Sequence, residues 1–245
     1  MSDWRNTWVG RPAASTTARA LQPCVGMDRF TNRTQAGREL ATFLSAYKNR
    51  PDVVVLALPR GGVPVAFEVA RALQAPLDVF IVRKLGLPAH PEFAIGAIAS
   101  GGVRVLNDDV VRWLDISPAT INAVARREQL ELERRERLFR GERPVVDVRD
   151  KTVLVIDDGL ATGSTMKAAV QALRTEGPKS IVVAVPVGSP DTCEEMKGVA
   201  DDVVCARSPA AFSAVGQWYV DFTQTSDAEV HDLLNGIEVH VGRRR

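Results

Sequence analysis

Cysteine and histidine are scarce in this chain, three of each in 245 residues, and that scarcity closes several chemical routes. Cys24, Cys193 and Cys205 are odd in number, widely spaced and in no C-x-x-C pair, which predicts reduced thiols rather than a disulfide framework or a zinc site. Cys205, ending the apolar run Val203-Val204, reads as core. His90, between Pro88 and Pro91, and His231 and His240 have no visible catalytic partner, so neither a Ser-His-Asp arrangement nor a histidine-metal site is supported. Long apolar runs are missing too. Nothing approaches the length of a bilayer crossing and the N-terminus has no apolar h-region, so the cytoplasm is the default expectation, with no membrane partner. The 31 basic and 30 acidic side chains nearly cancel, which leaves no global field to attract nucleic acid. Two common phosphate loops are also absent. No G-x-x-x-x-G-K-[ST] occurs, because Ser164 follows Gly163, and no G-x-G-x-x-G follows a strand.

What is present is concentrated in one stretch. Val153-Leu154-Val155-Ile156 reads as a strand covered on both faces, the mark of a parallel sheet. It ends in Asp157 and Asp158, and then Ala161, Thr162, Gly163, Ser164 and Thr165 lead into a helix whose stripe is Met166, Ala169, Val170 and Leu173. Such a loop offers unpaired backbone N–H groups, hydroxyls and the positive end of a helix dipole, all suited to a phosphate. The two upstream carboxylates can accept hydrogen bonds from the vicinal hydroxyls of a ribose. Together these are the two halves of a ribose 5-phosphate site.

The same grammar recurs upstream. Val53 to Leu58 is a second apolar run, followed by Pro59-Arg60-Gly61-Gly62 and a helix with Pro64 near its start. Asp78 to Val82 reads as a third strand that delivers Arg83 and Lys84 at its end. Strands alternating with helices predict a doubly wound α/β fold with a mostly parallel sheet and ligands at the strands' carboxyl ends. Residues 1–26 read as a disordered extension and 27–235 as the domain. Within it, 85–106 form a hairpin that could act as a lid, 117–140 an inserted charged helix, and 208–235 a small hood subdomain; 236–245 read as a basic tail. In the inserted helix Glu131/Arg135, Glu133/Arg137 and Glu136/Arg140 fall at i, i+4, and Ile121, Ala125, Leu132 and Phe139 make a narrow apolar stripe.

The order of four hydrophobic residues, two acids, two variable residues, then small-Thr-Gly-x-Thr closely resembles the defining segment of the type I phosphoribosyltransferases. The likeness extends to Leu58-Pro59-Arg60-Gly61-Gly62-Val63-Pro64-Val65, Val82-Arg83-Lys84 and Asp157-Asp158-Gly159-Leu160-Ala161-Thr162-Gly163, which resemble segments of bacterial stand-alone phosphoribosyltransferase-domain proteins. The resemblance implies a pentosyltransferase using 5-phosphoribosyl-1-pyrophosphate (PRPP), with Asp157 and Asp158 as catalytic acids and residues 161–165 on the 5′-phosphate. It assigns Arg60, Gly61, Gly62, Arg83 and Lys84 to the pyrophosphate, and implies a cis peptide at Pro59–Arg60. It further implies Mg²⁺ held mainly by PRPP, with Asp221 as a hood acid near the metal, and a homodimer. Phe212, Trp218 and Tyr219 are candidates to stack on an acceptor base. Ala161 departs from the aspartate that 6-oxopurine enzymes carry there, which disfavours hypoxanthine or guanine as acceptor. The competing class is a non-catalytic regulatory protein that binds PRPP or a nucleotide; the leaving-group residues favour the enzyme.

Overall fold

The structure is a computed structural model that describes residues 29–87 and 90–241; the expected disordered extension lies outside them. Five parallel strands make the central sheet: β1 (Val53–Ala57), β2 (Leu77–Val79), β6 (Thr152–Ile156), β7 (Ser180–Val187) and β8 (Asp202–Arg207). Their order is β2-β1-β6-β7-β8, all neighbours parallel. Every residue of β1 and β6 is buried, because alternate side chains enter two different cores. On one face Val53, Val55 and Ala57 meet helices α1 (Arg33–Phe43), α2 (Gly62–Leu73), α4 (Pro118–Arg140) and α7 (Asp227–Val241). On the other, Val54, Leu56, Val153 and Val155 meet α5 (Ser164–Arg174) and α6 (Pro190–Met196).

The strand order reverses between β1 and β6, since β2 lies beyond β1 while β7 and β8 continue past β6. Connections therefore leave these two strands toward opposite faces and open a crevice at their carboxyl ends, where open α/β sheets bind ligands.

The chain departs from expectation in four places. The parallel strand ends at Val79, and β3 (Val82–Leu87), which carries Arg83 and Lys84, instead opens a separate antiparallel sheet with β4 (His90–Ala99) and β5 (Arg104–Leu106). A short helix, α3 (Asp108–Trp113), then leads from β5 toward α4. The break between sheets occurs at Phe80-Ile81 without glycine or proline: Phe80 N still bonds to Ala57 O at 2.9 Å, but Ile81 N turns to Ser100 Oγ at 3.0 Å. Second, residues 236–241 are not a tail. They complete α7, whose Val230, Leu234 and Ile237 are buried against the first core.

Third, Cys193 and Cys205 are joined as a disulfide rather than left as reduced thiols. Parallel pairing of β7 with β8 and the short α6 crossover bring residues 12 apart in sequence side by side, which spacing alone did not reveal. Fourth, α4 keeps its buried stripe but uses only part of the expected charge ladder. Glu131 binds both Arg134 and Arg135 at 2.8 Å, and Glu136 lies 3.7 Å from Arg140, which also turns inward to Asp78 at 3.0 Å; Glu133, by contrast, takes Gln129 at 2.7 Å. The exposed Gly141 end is followed by Val146 N, which also bonds to Asp78.

Candidate functional site

Asp157 and Asp158 begin where β6 runs out of apolar residues, inside the crevice. Asp157 Oδ1 accepts from the backbone N–H of Asp158 at 2.8 Å. Burial pushes the Asp157 carboxyl well above the usual carboxylate range, and the neighbouring charge of Asp158 adds to the shift. Burial raises Asp158 as well, but the guanidinium of Arg33 opposes it. Two adjacent carboxylates held in a poorly solvated place make a site that gains from cationic or hydrogen-donating company.

The loop after β1 comes down on this pair. A Cβ at Gly61 would lie 2.0 Å from Asp158 Oδ2, and one at Gly62 would lie 2.7 Å from the Ile156 carbonyl oxygen and 2.9 Å from Asp157 Cα. Only glycine permits that approach. The Pro59–Arg60 peptide is cis. Arg60 extends to the start of α7, with Nη1 3.3 Å from Asp227 Oδ1 and about a third of its side chain exposed.

The loop after β6 turns through Leu160, which is buried, into Ala161 and Thr162, which are exposed. Gly163 has φ +68°, which glycine adopts freely, and its missing Cβ makes room for the Thr192 methyl, 2.8 Å away from where it would be. Thr192 Oγ1 donates to the Ala161 carbonyl at 2.6 Å, so α6 braces the loop. No side chain caps α5. Its first N–H groups and the exposed Ser164 and Thr165 therefore face solvent with the positive helix end behind them, an anion-binding arrangement.

The basic pair is split. Successive strand residues point to opposite faces, and Arg83 binds Glu128 of α4 at 2.6 Å while Lys84 is exposed on the other side. Lys84 borders a groove of about 660 Å³ that also touches Ser164 and Lys167 of α5. Of the two, Lys84 shares a cavity with the phosphate loop, and Arg83 is committed to α4.

The aromatic segment is also redistributed. Trp218 and Tyr219 were candidates to stack on a base, yet both are buried with Phe30, Ala36 and Val187 in a small third core. Backbone bonds Phe30 N to Trp218 O and Val220 N to Phe30 O, each 2.8 Å, clamp them there. Tyr219 donates its hydroxyl to the Asp158 carbonyl at 2.6 Å, and burial drives its phenol pKa upward. Phe212 remains partly buried at the edge of this core. Asp221 is exposed, held by the Thr223 N–H at 3.0 Å and its hydroxyl at 2.7 Å, bonds that lower its pKa.

One residue was invisible to sequence reasoning. Arg33, the first residue of α1, places Nε and Nη2 each 2.8 Å from Asp158 Oδ2 and Nη1 2.7 Å from the Thr223 carbonyl, with its guanidinium 4.0 Å over the Phe222 ring. It lies 125 positions from the carboxylate it serves.

Against known families, the phosphoribosyl transferase domain matches residues 27–222. The chain belongs to this family. Two phosphoribosyl transferase relatives from Mycobacterium tuberculosis, strains CDC 1551 / Oshkosh and ATCC 25618 / H37Rv, so named provisionally, are each 53% identical over 209 residues. That alignment spans 85% of this chain and 47% of each relative, so the chain covers about half the length of the curated relatives it matches. Among solved structures, TT1426 from Thermus thermophilus is 42% identical with a TM-score of 0.75, covering 84% of this chain and 97% of that one. The α/β architecture with its mostly parallel sheet is thus that of the type I phosphoribosyl transferases.

Phosphoribosyl transferases generally use Mg²⁺ with their donor, and the residues present fit such an ion. Among the described residues no group of three or more His, Cys, Asp or Glu converges, so an all-protein cage is not offered. Magnesium takes one or two carboxylates and otherwise prefers phosphate oxygens and water. Asp221 is exposed, within electrostatic reach of Arg33, and lines a cavity with it. No described helix is long and apolar enough to cross a membrane.

Proposed function

We propose that this phosphoribosyl transferase domain is a PRPP-dependent pentosyltransferase: it moves ribose 5-phosphate from PRPP to a nitrogen acceptor, a nucleobase or related compound, and releases pyrophosphate. The observation that carries the reading is the convergence at one crevice of the Asp157–Asp158 pair, the uncapped start of α5 and the Arg60-Gly61-Gly62 loop.

The 5′-phosphate sits on the N–H groups and hydroxyls of residues 161–165. From there the ribose reaches back over β6, and its two hydroxyls donate to Asp157 and Asp158. Both acids are paired most favourably when a positive charge develops near them, so they favour an oxocarbenium-like sugar over the neutral ground state. Pyrophosphate departs over Gly61 and Gly62, whose backbones approach closely, with Arg60 and Lys84 supplying positive charge. Mg²⁺, when bound, neutralises the leaving group, and Asp221 would help to hold it. Arg60 and Arg83 each face an acid, Asp227 at 3.3 Å and Glu128 at 2.6 Å; the shorter pair, made to a buried carboxylate, keeps Arg83 out of this scheme, while the longer, half-exposed one leaves Arg60 free to turn to the leaving group. For the acceptor, Phe212 is the one of the three aromatic candidates that keeps exposed ring surface. Ala161 cannot exchange a proton with a purine N7, which supports an acceptor other than hypoxanthine or guanine. The cytoplasm and a homodimer complete the proposal.

The test is pyrophosphate release from PRPP and Mg²⁺ across a panel of bases. Release with at least one base, lost in the Asp157→Asn/Asp158→Asn double variant, supports the enzyme. Tight PRPP binding with no release for any base supports the regulatory alternative.

A further inference from the structure

Arg33 is badly placed for its own helix. It is the first residue of α1, where the helix dipole presents positive charge, and the first turn contains no acid to compensate. Asn32 already caps this end by accepting from Gln35 N at 3.0 Å, so Arg33 does not serve the cap. Its side chain leaves the helix altogether and is 11% exposed at the acid pair.

There the guanidinium makes contacts that only a fork can make. Nε and Nη2 converge on the same oxygen, Asp158 Oδ2, while Nη1 reaches the Thr223 carbonyl and the plane lies over Phe222. Among the described residues no other side chain hydrogen-bonds to the Asp158 carboxylate, and the Arg33 contacts all fall on Oδ2. One carboxylate oxygen is therefore gripped, and the other is left available as an acceptor. The grip also spans two parts of the chain, since Asp158 lies just past the end of β6 and Thr223 follows the clamped Tyr219 segment by four residues.

We propose that Arg33 is a positioning residue of the donor site: by holding Oδ2 of Asp158 it aims Oδ1 at a ribose hydroxyl, and by holding Thr223 it fixes the hood segment over that carboxylate. The proposal rests on the ribose role given to Asp158 above. Charge alone does not suffice for it. A lysine carries its three donors on one compact nitrogen and lacks the planar fork that spans a carboxylate and a carbonyl while stacking on a ring.

The experiment is calorimetric titration of PRPP with Mg²⁺ into the full chain, its Arg33→Lys and Arg33→Gln variants, Asp158→Asn, and Arg33→Gln/Asp158→Asn. Circular dichroism checks that each is folded. Removing a charged hydrogen-bond partner should weaken donor binding by about 10- to 100-fold in Arg33→Gln. Arg33→Lys should lie nearer to Arg33→Gln than to the parent. With Asp158→Asn already present, Arg33→Gln should cost less than about threefold, because coupled residues are not additive. Parental affinity in Arg33→Gln overturns the proposal, as does a full, undiminished loss in the Asp158→Asn background. If Arg33→Gln does not fold, Arg33→Lys decides alone, and parental affinity there overturns it. Absence of PRPP binding by the parent chain overturns the ribose reading itself, and Arg33's role with it.

Discussion

Alanine in place of Gly61 tests the junction of the two strand-end loops with a single methyl group. The backbone at Gly61 has φ −60° and ψ −34°, which alanine adopts without strain, so any effect is steric. The new Cβ would stand 2.0 Å from Asp158 Oδ2, against an ordinary contact of 3.4 Å or more, so the carboxylate must retreat by about 1.4 Å. That movement pulls Oδ2 off the two Arg33 nitrogens now 2.8 Å away. A hydrogen-bonded charge of this kind contributes about 1.5–3 kcal/mol. Gly61→Ala should therefore lower the thermal midpoint by about 3–12 °C for a chain of this size. It should also weaken PRPP binding by about 10- to 100-fold in calorimetry. A variant with the parental midpoint and parental donor affinity would refute the geometry on which the site is built.

Three further outcomes follow from the same structure. Burial holds the folded-state pKa of Asp157 above its unfolded value of 3.8, so the native state binds the extra proton and stability falls as pH rises through that window. Asp157→Asn should accordingly melt above the parent at pH 8, with the gain fading toward about pH 4; melting below the parent at pH 8 counts against a buried, strained carboxylate. Reduction of Cys193–Cys205 opens a short loop and should cost about 3 kcal/mol of stability. Scanning calorimetry with and without dithiothreitol measures this, with Cys193→Ser as the variant that should no longer respond. Arg140→Met leaves the Asp78 carboxylate, 3% exposed, without its guanidinium and should cost about 3–5 kcal/mol in urea denaturation; a loss under about 1 kcal/mol would mean that backbone donors such as Val146 N satisfy Asp78 unaided.

The parallel sheet and the phosphate loop were readable because burial on both faces demands continuous apolar runs. Val153–Ile156 and Val53–Leu58 have no other economical reading. The start of β3 was not readable for the complementary reason. Phe80-Ile81-Val82 continues an apolar run across a change of sheet, and no glycine or proline marks the turn. Consequently Arg83 and Lys84 read as a pair in the sequence, when the strand's pleat sends them to opposite faces. The aromatic segment shows a different limit. A cluster of large rings packs a small core as readily as it holds a ligand, and the backbone clamp from Phe30 that decides between these lies almost 190 residues upstream in sequence. Arg33 is the extreme case. Nothing local distinguishes it from the arginines that stay on the surface, and only the fold brings α1 against the end of β6. By contrast, the buried stripe Val230, Leu234 and Ile237 of α7 has the i, i+4, i+7 spacing of a helix and was there to be read.

The central claim is that one crevice, at the ends of β1 and β6, holds the whole donor. A crystal structure of the chain with PRPP and Mg²⁺ tests it most directly. The account predicts the 5′-phosphate on residues 161–165, ribose hydroxyls within hydrogen-bond distance of Asp157 and Asp158, and pyrophosphate against Gly61 and Gly62. Donor bound elsewhere, for instance in the groove between Lys84 and Lys167 with Arg33 and the acid pair untouched, would contradict it.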